Sequence, residues 1–189
     1  EHKAVLDACR QLEREGFEVT YMEPMPNGLI DIKQLESEIR DDTVLISIMH
    51  VNNEIGVIQD IESIGKLARS KKIIFHVDAA QSAGKIEIDL EKMNVDLMSF
   101  SAHKIYGPKG IGLLIIDEDI QLNPLFYGGG QEFGYRSGTI PLPLIVGFSK
   151  AIELAIKNQA KNSIHLASLR DALMNGLLKK NSQILINGS

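Results

Sequence analysis

Cysteine is almost missing from these 189 residues. Cys9 is the only one, so no disulfide can form within the chain and a reducing, cytosol-like compartment is the simpler expectation. Long hydrophobic runs are missing too: no apolar stretch approaches the roughly 20 residues of a membrane span, and no signal peptide is visible. There is no basic excess. A net charge of -5, a pI near 5.6 and the lack of any basic stripe interleaved with aromatics argue against a nucleic-acid partner. A Gly-x-x-x-x-Gly-Lys-Ser/Thr loop is absent, which argues against a nucleoside triphosphate. Repeats and low-complexity tracts are also absent. The chain lacks an initiator Met, opens on Glu1-His2-Lys3 already in a helical pattern, and stops just after the strand-like Gln183-Ile184-Leu185-Ile186. It is expected to be cut from something longer.

What is present suits one domain of ordinary size, with 44% hydrophobic residues to build a core. Val5, Ala8, Cys9 and Leu12 on one face predict a helix over residues 3 to 15, stopped by Gly16. A strand is expected near 17 to 22, then a turn at Asn27-Gly28, then a short helix from Asp31 through Arg40. Continuous apolar runs rich in β-branched residues predict strands at 43 to 48, 73 to 77, 96 to 101 and 111 to 116. Helical patterns lie between them, from about 61 to 70 and after Asp78. That βαβ alternation implies a parallel-rich sheet covered on both faces. Residues 142 to 180 read as helix, striped by Ile145, Phe148, Ile152, Ile156 and then Leu166, Leu169, Leu173, Leu177. Asn158 to Ser163 are a candidate interruption, and any second domain begins around this helix.

Open parallel-rich sheets bind ligands beyond the carboxyl ends of their strands, where loops gather and helix N-termini point inward. Three predicted strands run out into chemistry there: the first into Asn52-Asn53-Glu54, the second into Asp78 and Gln81, the third into Ser101, His103 and Lys104. A free lysine at pH 7 is neutral in about one molecule in 2,500, and burial lowers its pKa by up to about 3–5 units. Lys104, expected to be buried at a strand end, is therefore a candidate Schiff-base amine; a salt bridge to Asp78 or a phosphate anchor are the alternatives. Asp78 is either a helix cap or the carboxylate that keeps a pyridinium nitrogen protonated. Ser101 and His103 suit a phosphate ester. His76 with Asp78 is a poor metal pair, because no second cluster has ligand spacing.

The stretches "HVDAAQSAGK", "DLMSFSAHKIYGPKGIG", "IMHVNNEIGVIQDI", "GGGQEFGYRSGT" and "EHKAVLDACRQLEREGFEV" closely resemble a cysteine desulfurase of the class V aminotransferase family, of the iron–sulfur cluster assembly type, along essentially the whole chain. The resemblance implies an α/β fold: the large domain of a fold-type I pyridoxal 5'-phosphate enzyme, with a mostly parallel mixed sheet and helices on both faces. Residues 1 to 145 would be the central and C-terminal part of that domain, and 146 to 189 the linking helix and start of a small domain.

Roles follow position by position from the resemblance. Lys104 is the lysine linked to the cofactor, and Asp78 is the partner of its ring nitrogen. Gln81 hydrogen-bonds the phenolic oxygen, and Asn53 sits in a cofactor-contacting loop. Ser101, Ala102 and His103 meet the phosphate, Thr139 reaches the phosphate of the other subunit of a homodimer, and His2 stacks on the ring and takes part in acid–base work. The implied reaction converts L-cysteine and an acceptor thiol to L-alanine and a persulfide, delivered to a scaffold protein for iron–sulfur assembly in the cytoplasm, or in the mitochondrial matrix of a eukaryote.

The family's nucleophilic cysteine and its carboxylate-gripping arginine would follow Ser189, and its threonine-containing phosphate loop would precede Glu1. Cys9, on an apolar helical face, is expected to pack rather than attack. His50 and His165 are expected to be structural or solvent-facing. Two alternatives accompany the main reading. One is a truncated, inactive remnant that at most binds cofactor or partner; the other is a selenocysteine lyase.

Overall fold

A computed structural model describes residues 1–188. Its elements run α1 (Lys3–Arg14), α2 (Ile32–Glu38), β1 (Leu45–Met49), α3 (Ile61–Lys71), β2 (Ile74–Asp78), α4 (Leu90–Met93), β3 (Leu97–Ser101), β4 (Gly112–Ile116) and α5 (Leu142–Lys180). Short polar side chains start the helices by accepting from backbone N–H groups: Asp31 from Lys33 and Gln34, Asp60 from Ser63, Asp89 from Lys92. Lys72 and Asn94 close α3 and α4 in the left-handed region.

The four strands form one sheet in sequence order. β1, β2 and β3 are parallel and β4 is antiparallel to β3. The register pairs Met49 with Asp78 and Asp78 with Ser99, so β1 and β2 end level while β3 runs two residues further, to Ser101. Alternate residues, Ile46, Ile48, Phe75, Val77 and Met98, face α3 and are buried with its Ile61, Ile64 and Ala68. The residues between them, Ser47, His76, Asp78 and Ser99, point to the opposite face.

A smaller cluster holds the turn that follows β3. Residues 102–105 form a single 3-10 turn in which Ala102 and Ile105, three apart and therefore on one side, are buried against Phe148 and Ala151 of α5. His103 and Lys104 are left on the outer side, both exposed. Close approach fixes the contact. A Cβ on Gly147 of α5 would lie 3.2 Å from the Pro108 ring, and one on Gly107 would lie 2.9 Å from the Ala102 carbonyl oxygen.

Several expected elements differ. Residues 17–22 are not a strand: nothing pairs with them, and they are tied by side chains instead, Tyr21 Oη to Glu13 at 3.1 Å and Glu18 to Arg40 at 2.7 Å. The short helix from Asp31 ends at Glu38 rather than Arg40. The stretch after Asp78 is a series of turns, not a helix, and 183–186 carries no strand. α5 runs unbroken through 158–163, where the Asn158 amide donates to the Leu154 carbonyl at 2.8 Å and so does not compete with the helix. Its second half is bare: Leu166, Leu169, Leu173 and Leu177 are all exposed. Among the described residues, no helix is long and apolar enough to cross a membrane.

Candidate active site

Asp78, Gln81, Ser101, His103 and Lys104 all lie at or just beyond the carboxyl ends of the adjacent parallel strands β2 and β3. Asp78 is the last residue of β2 and only 8% exposed. Its Oδ1 accepts from the Ala80 N–H at 2.9 Å, while Oδ2 has no partner among the described residues. The free Oδ2 can accept from a donor brought to the strand end. A protonated pyridine nitrogen is such a donor.

Three residues on, Gln81 is half-buried in the turn after β2, and its Oε1 accepts from Lys85 Nζ at 2.7 Å. At the end of β3 the Ser101 hydroxyl and the Nδ1 of His103 lie 3.2 Å apart, with both polar groups facing away from the buried Ala102. Lys104 is exposed rather than buried, and its amine makes no hydrogen bond or ion pair among the described residues, the expected alternative to Asp78 included. The reason lies in the 3-10 turn, which spends its two apolar positions on α5 and turns the lysine outward.

The donor set fits pyridoxal 5'-phosphate. It offers an anionic acceptor for a ring N–H, an amide for a phenolic oxygen, a hydroxyl and an imidazole for a phosphate, and a free amine for an aldehyde.

The remaining expected site residues stand apart. Asn53 is exposed in the loop after β1, whose shape is set by its neighbour Asn52, with Oδ1 accepting from Glu54 and Ile55 N–H at 2.9 and 3.0 Å. Thr139 is exposed, and among the described residues its side chain has no hydrogen-bond partner. His2 caps α1, its Nδ1 accepting from the Ala4 N–H at 3.1 Å. The adjoining Glu1 carboxylate accepts from the Met49 N–H at 2.6 Å, which lays the first residues over the end of β1. Burial pushes the Glu1 carboxyl above the usual range. No local pattern announces a contact spanning 48 positions.

Sequence reasoning also passed over a hydrogen-bonded chain beneath Asp78. His76 Nδ1 lies 2.8 Å from Ser47 Oγ and its Nε2 3.1 Å from Ser99 Oγ, linking three strands. Burial holds this imidazole below its ordinary pKa, opposed by the charge of Asp78. The period-two alternation of β1 and β3 was the available signal. His50 is buried, His165 exposed. Cys9 is half-buried on α1, and burial followed by the charges of Glu1 and Glu13 pushes its thiol up, which keeps it protonated and weakly nucleophilic.

The family model described as aminotransferase class-V matches residues 1–189. The chain is 61% identical over its whole length to the cysteine desulfurase IscS of Vibrio vulnificus and 58% identical to that of Edwardsiella ictaluri, covering 47% of each relative. It thus spans about half the length of the curated relatives it matches. Among solved structures it is similar to a NifS-like protein (43% identity, TM-score 0.93, 96% of this chain and 50% of that one). It is also similar to SspA in complex with cysteine (54% identity, TM-score 0.79, 81% of this chain and 45% of that one). With the family matched over every residue, and with relatives more than half identical along the whole length, the chain belongs to the class-V aminotransferase family.

Proposed function

We propose that these residues form the cofactor-holding half of a pyridoxal 5'-phosphate-dependent cysteine desulfurase, which takes L-cysteine and an acceptor thiol to L-alanine and a persulfide. The single observation that carries this reading is the nearly buried Asp78 carboxylate at the end of β2, beside the strand β3 whose following turn presents a Lys104 amine without a partner among the described residues. The cofactor, when bound, supplies an electron sink for the pair released at the substrate α-carbon.

The chain's own residues do the rest. Asp78 would accept the ring N–H and so favour the protonated ring. Gln81 would donate to the phenolic oxygen, and Ser101 and His103 would donate to the phosphate, with Ala102 between them. Lys104 would hold the group through its amine and would serve as the acid and base that moves protons at the substrate α-carbon. Asn53 would contact the cofactor from the loop after β1. His2, at the start of α1, would face the ring and exchange protons with substrate through the Nε2 that its capping contact leaves free.

The cysteine that attacks the substrate sulfur is not Cys9, whose thiol is held protonated. Thr139, exposed and unpaired, serves the phosphate of the second subunit of a homodimer. Residues 146–189 begin a second domain, for which the exposed leucines of α5 provide the seat. The persulfide passes to a scaffold protein for iron–sulfur assembly, in the cytoplasm or the mitochondrial matrix.

The test is reconstitution with pyridoxal 5'-phosphate followed by dialysis. A visible absorbance band that survives in the parent and is lost in Lys104→Ala supports the reading; a parent without a band contradicts it. The 189 residues alone, holding no second cysteine, are expected to release negligible sulfide from L-cysteine.

A further inference from the structure

We propose that Lys85 is a positioning residue that decides which end of the Gln81 side-chain amide faces the cofactor. The inference rests on the functional reading above and extends it to a residue outside the donor set. A glutamine amide is two-ended: its oxygen only accepts, its nitrogen only donates, and the two ends have nearly the same shape. A phenolic oxygen that carries negative charge needs the nitrogen. An amide presented the other way round places oxygen against oxygen.

Lys85 removes the choice. Its ammonium has three donors and no acceptor, so the 2.7 Å contact with Gln81 can only engage Oε1, and Nε2 is left free. Chemistry, not shape, fixes the amide. An exposed i,i+4 pair on an ordinary helix contributes only about 0.2–0.5 kcal/mol and is often incidental. Here the backbone between the two residues is constrained.

Ala80 N–H is held by Asp78 Oδ1 at 2.9 Å, Ser82 and Ala83 N–H by the Ala79 carbonyl at 3.1 Å each, and Lys85 N–H by the Ser82 carbonyl at 3.0 Å. Ser82 is fully buried, its hydroxyl donating to Ala79 O at 3.2 Å. Gly84, at φ +65°, lies so close to α5 that a Cβ there would stand 2.5 Å from the Ala155 Cβ. The turn carrying Gln81 and Lys85 is thus bolted to Asp78 on one side and to α5 on the other. Lys85 also senses the rest of the site: burial first, and the charge of Lys104 second, lower its ammonium pKa below the ordinary lysine value.

The experiment loads the protein and its variants with pyridoxal 5'-phosphate and reads cofactor affinity together with the ratio of visible to near-ultraviolet absorbance, which falls when the phenolic oxygen loses its donor. Lys85→Met is expected to weaken binding about 2- to 10-fold, the range of one hydrogen bond, and to lower the ratio. Lys85→Arg, which still only donates, restores both to near the parent. In a Gln81→Ala background, Lys85→Met changes neither, because its action passes through Gln81. A loaded parent indifferent to Lys85→Met, or an effect that persists in Gln81→Ala, overturns this inference alone. A parent that takes up no cofactor overturns the functional reading and this inference with it.

Discussion

The cluster at the ends of β2 and β3 and the outlying candidates His2, Asn53 and Thr139 differ in how the chain supports them. Asp78, Gln81, Ser101, His103 and Lys104 are held on backbone that is itself buried or hydrogen-bonded: the 3-10 turn sits on Phe148 and Ala151, and the 79–85 turn sits against Ala155. The outliers are exposed, and apart from the capping contact of His2 their side chains have no partners among the described residues. The chain's own packing therefore fixes the cluster at the strand ends and leaves the outlying candidates unsupported among the described residues.

The largest expected effect comes from removing the support. Phe148→Ala, at 6% exposure beneath the Ala102–Ile105 turn, should destabilise the protein by about 3–5 kcal/mol in denaturant unfolding and loosen Lys104 with it. A small loss would mean that α5 does not carry the cluster.

Next comes Asp78→Asn, which keeps shape but removes charge. Cofactor affinity should fall by about 10- to 100-fold, the size of a charge-assisted hydrogen bond of about 1.5–3 kcal/mol, as measured by equilibrium dialysis. Unchanged affinity would return Asp78 to a turn-capping role.

A third prediction concerns acid. His76 and His50 both have pKa values held below the ordinary histidine value by burial, against which Asp78 works in the case of His76. The unfolded chain therefore binds more protons than the folded one once pH drops below about 6.5, and stability falls as pH falls through that window, by at most about 1.4 kcal/mol per pH unit for each group. His76→Gln, which keeps hydrogen bonds to Ser47 and Ser99 but cannot charge, should flatten this slope in unfolding curves between neutral and mildly acidic pH. An unchanged slope would assign the acid sensitivity elsewhere. The smallest effect is Thr139→Ala, expected to shift stability by less than about 0.5 kcal/mol, since an exposed side chain without partners has little to lose.

Much of this was legible in the residues. The apolar, β-branched runs at 43–48, 96–101 and 111–116 became Leu45–Met49, Leu97–Ser101 and Gly112–Ile116, because a strand buried between neighbours announces itself by composition. The strand-end rule points to Asp78, Gln81, Ser101, His103 and Lys104, and also to the 52–54 loop, whose Asn53 is exposed apart from them. What it could not give was burial. Lys104 lies outward because Ala102 and Ile105 go inward, a pattern too short to register as periodicity.

Likewise, residues 17–22 have strand-like composition, but a strand exists only where a neighbour pairs with it. The stretch after Asp78, expected as helix, is a series of turns, and the approach of Gly84 to α5 that accompanies them is a tertiary fact. The Ser47–His76–Ser99 chain depends on register, which sequence alone does not fix.

The most direct measurement is to load the protein with pyridoxal 5'-phosphate, trap the linkage by borohydride reduction, and locate the adduct by peptide mass spectrometry. The account predicts a single pyridoxyl group on Lys104, the unpaired amine at the end of β3. An adduct on Lys85 or another lysine, or none at all, would contradict it.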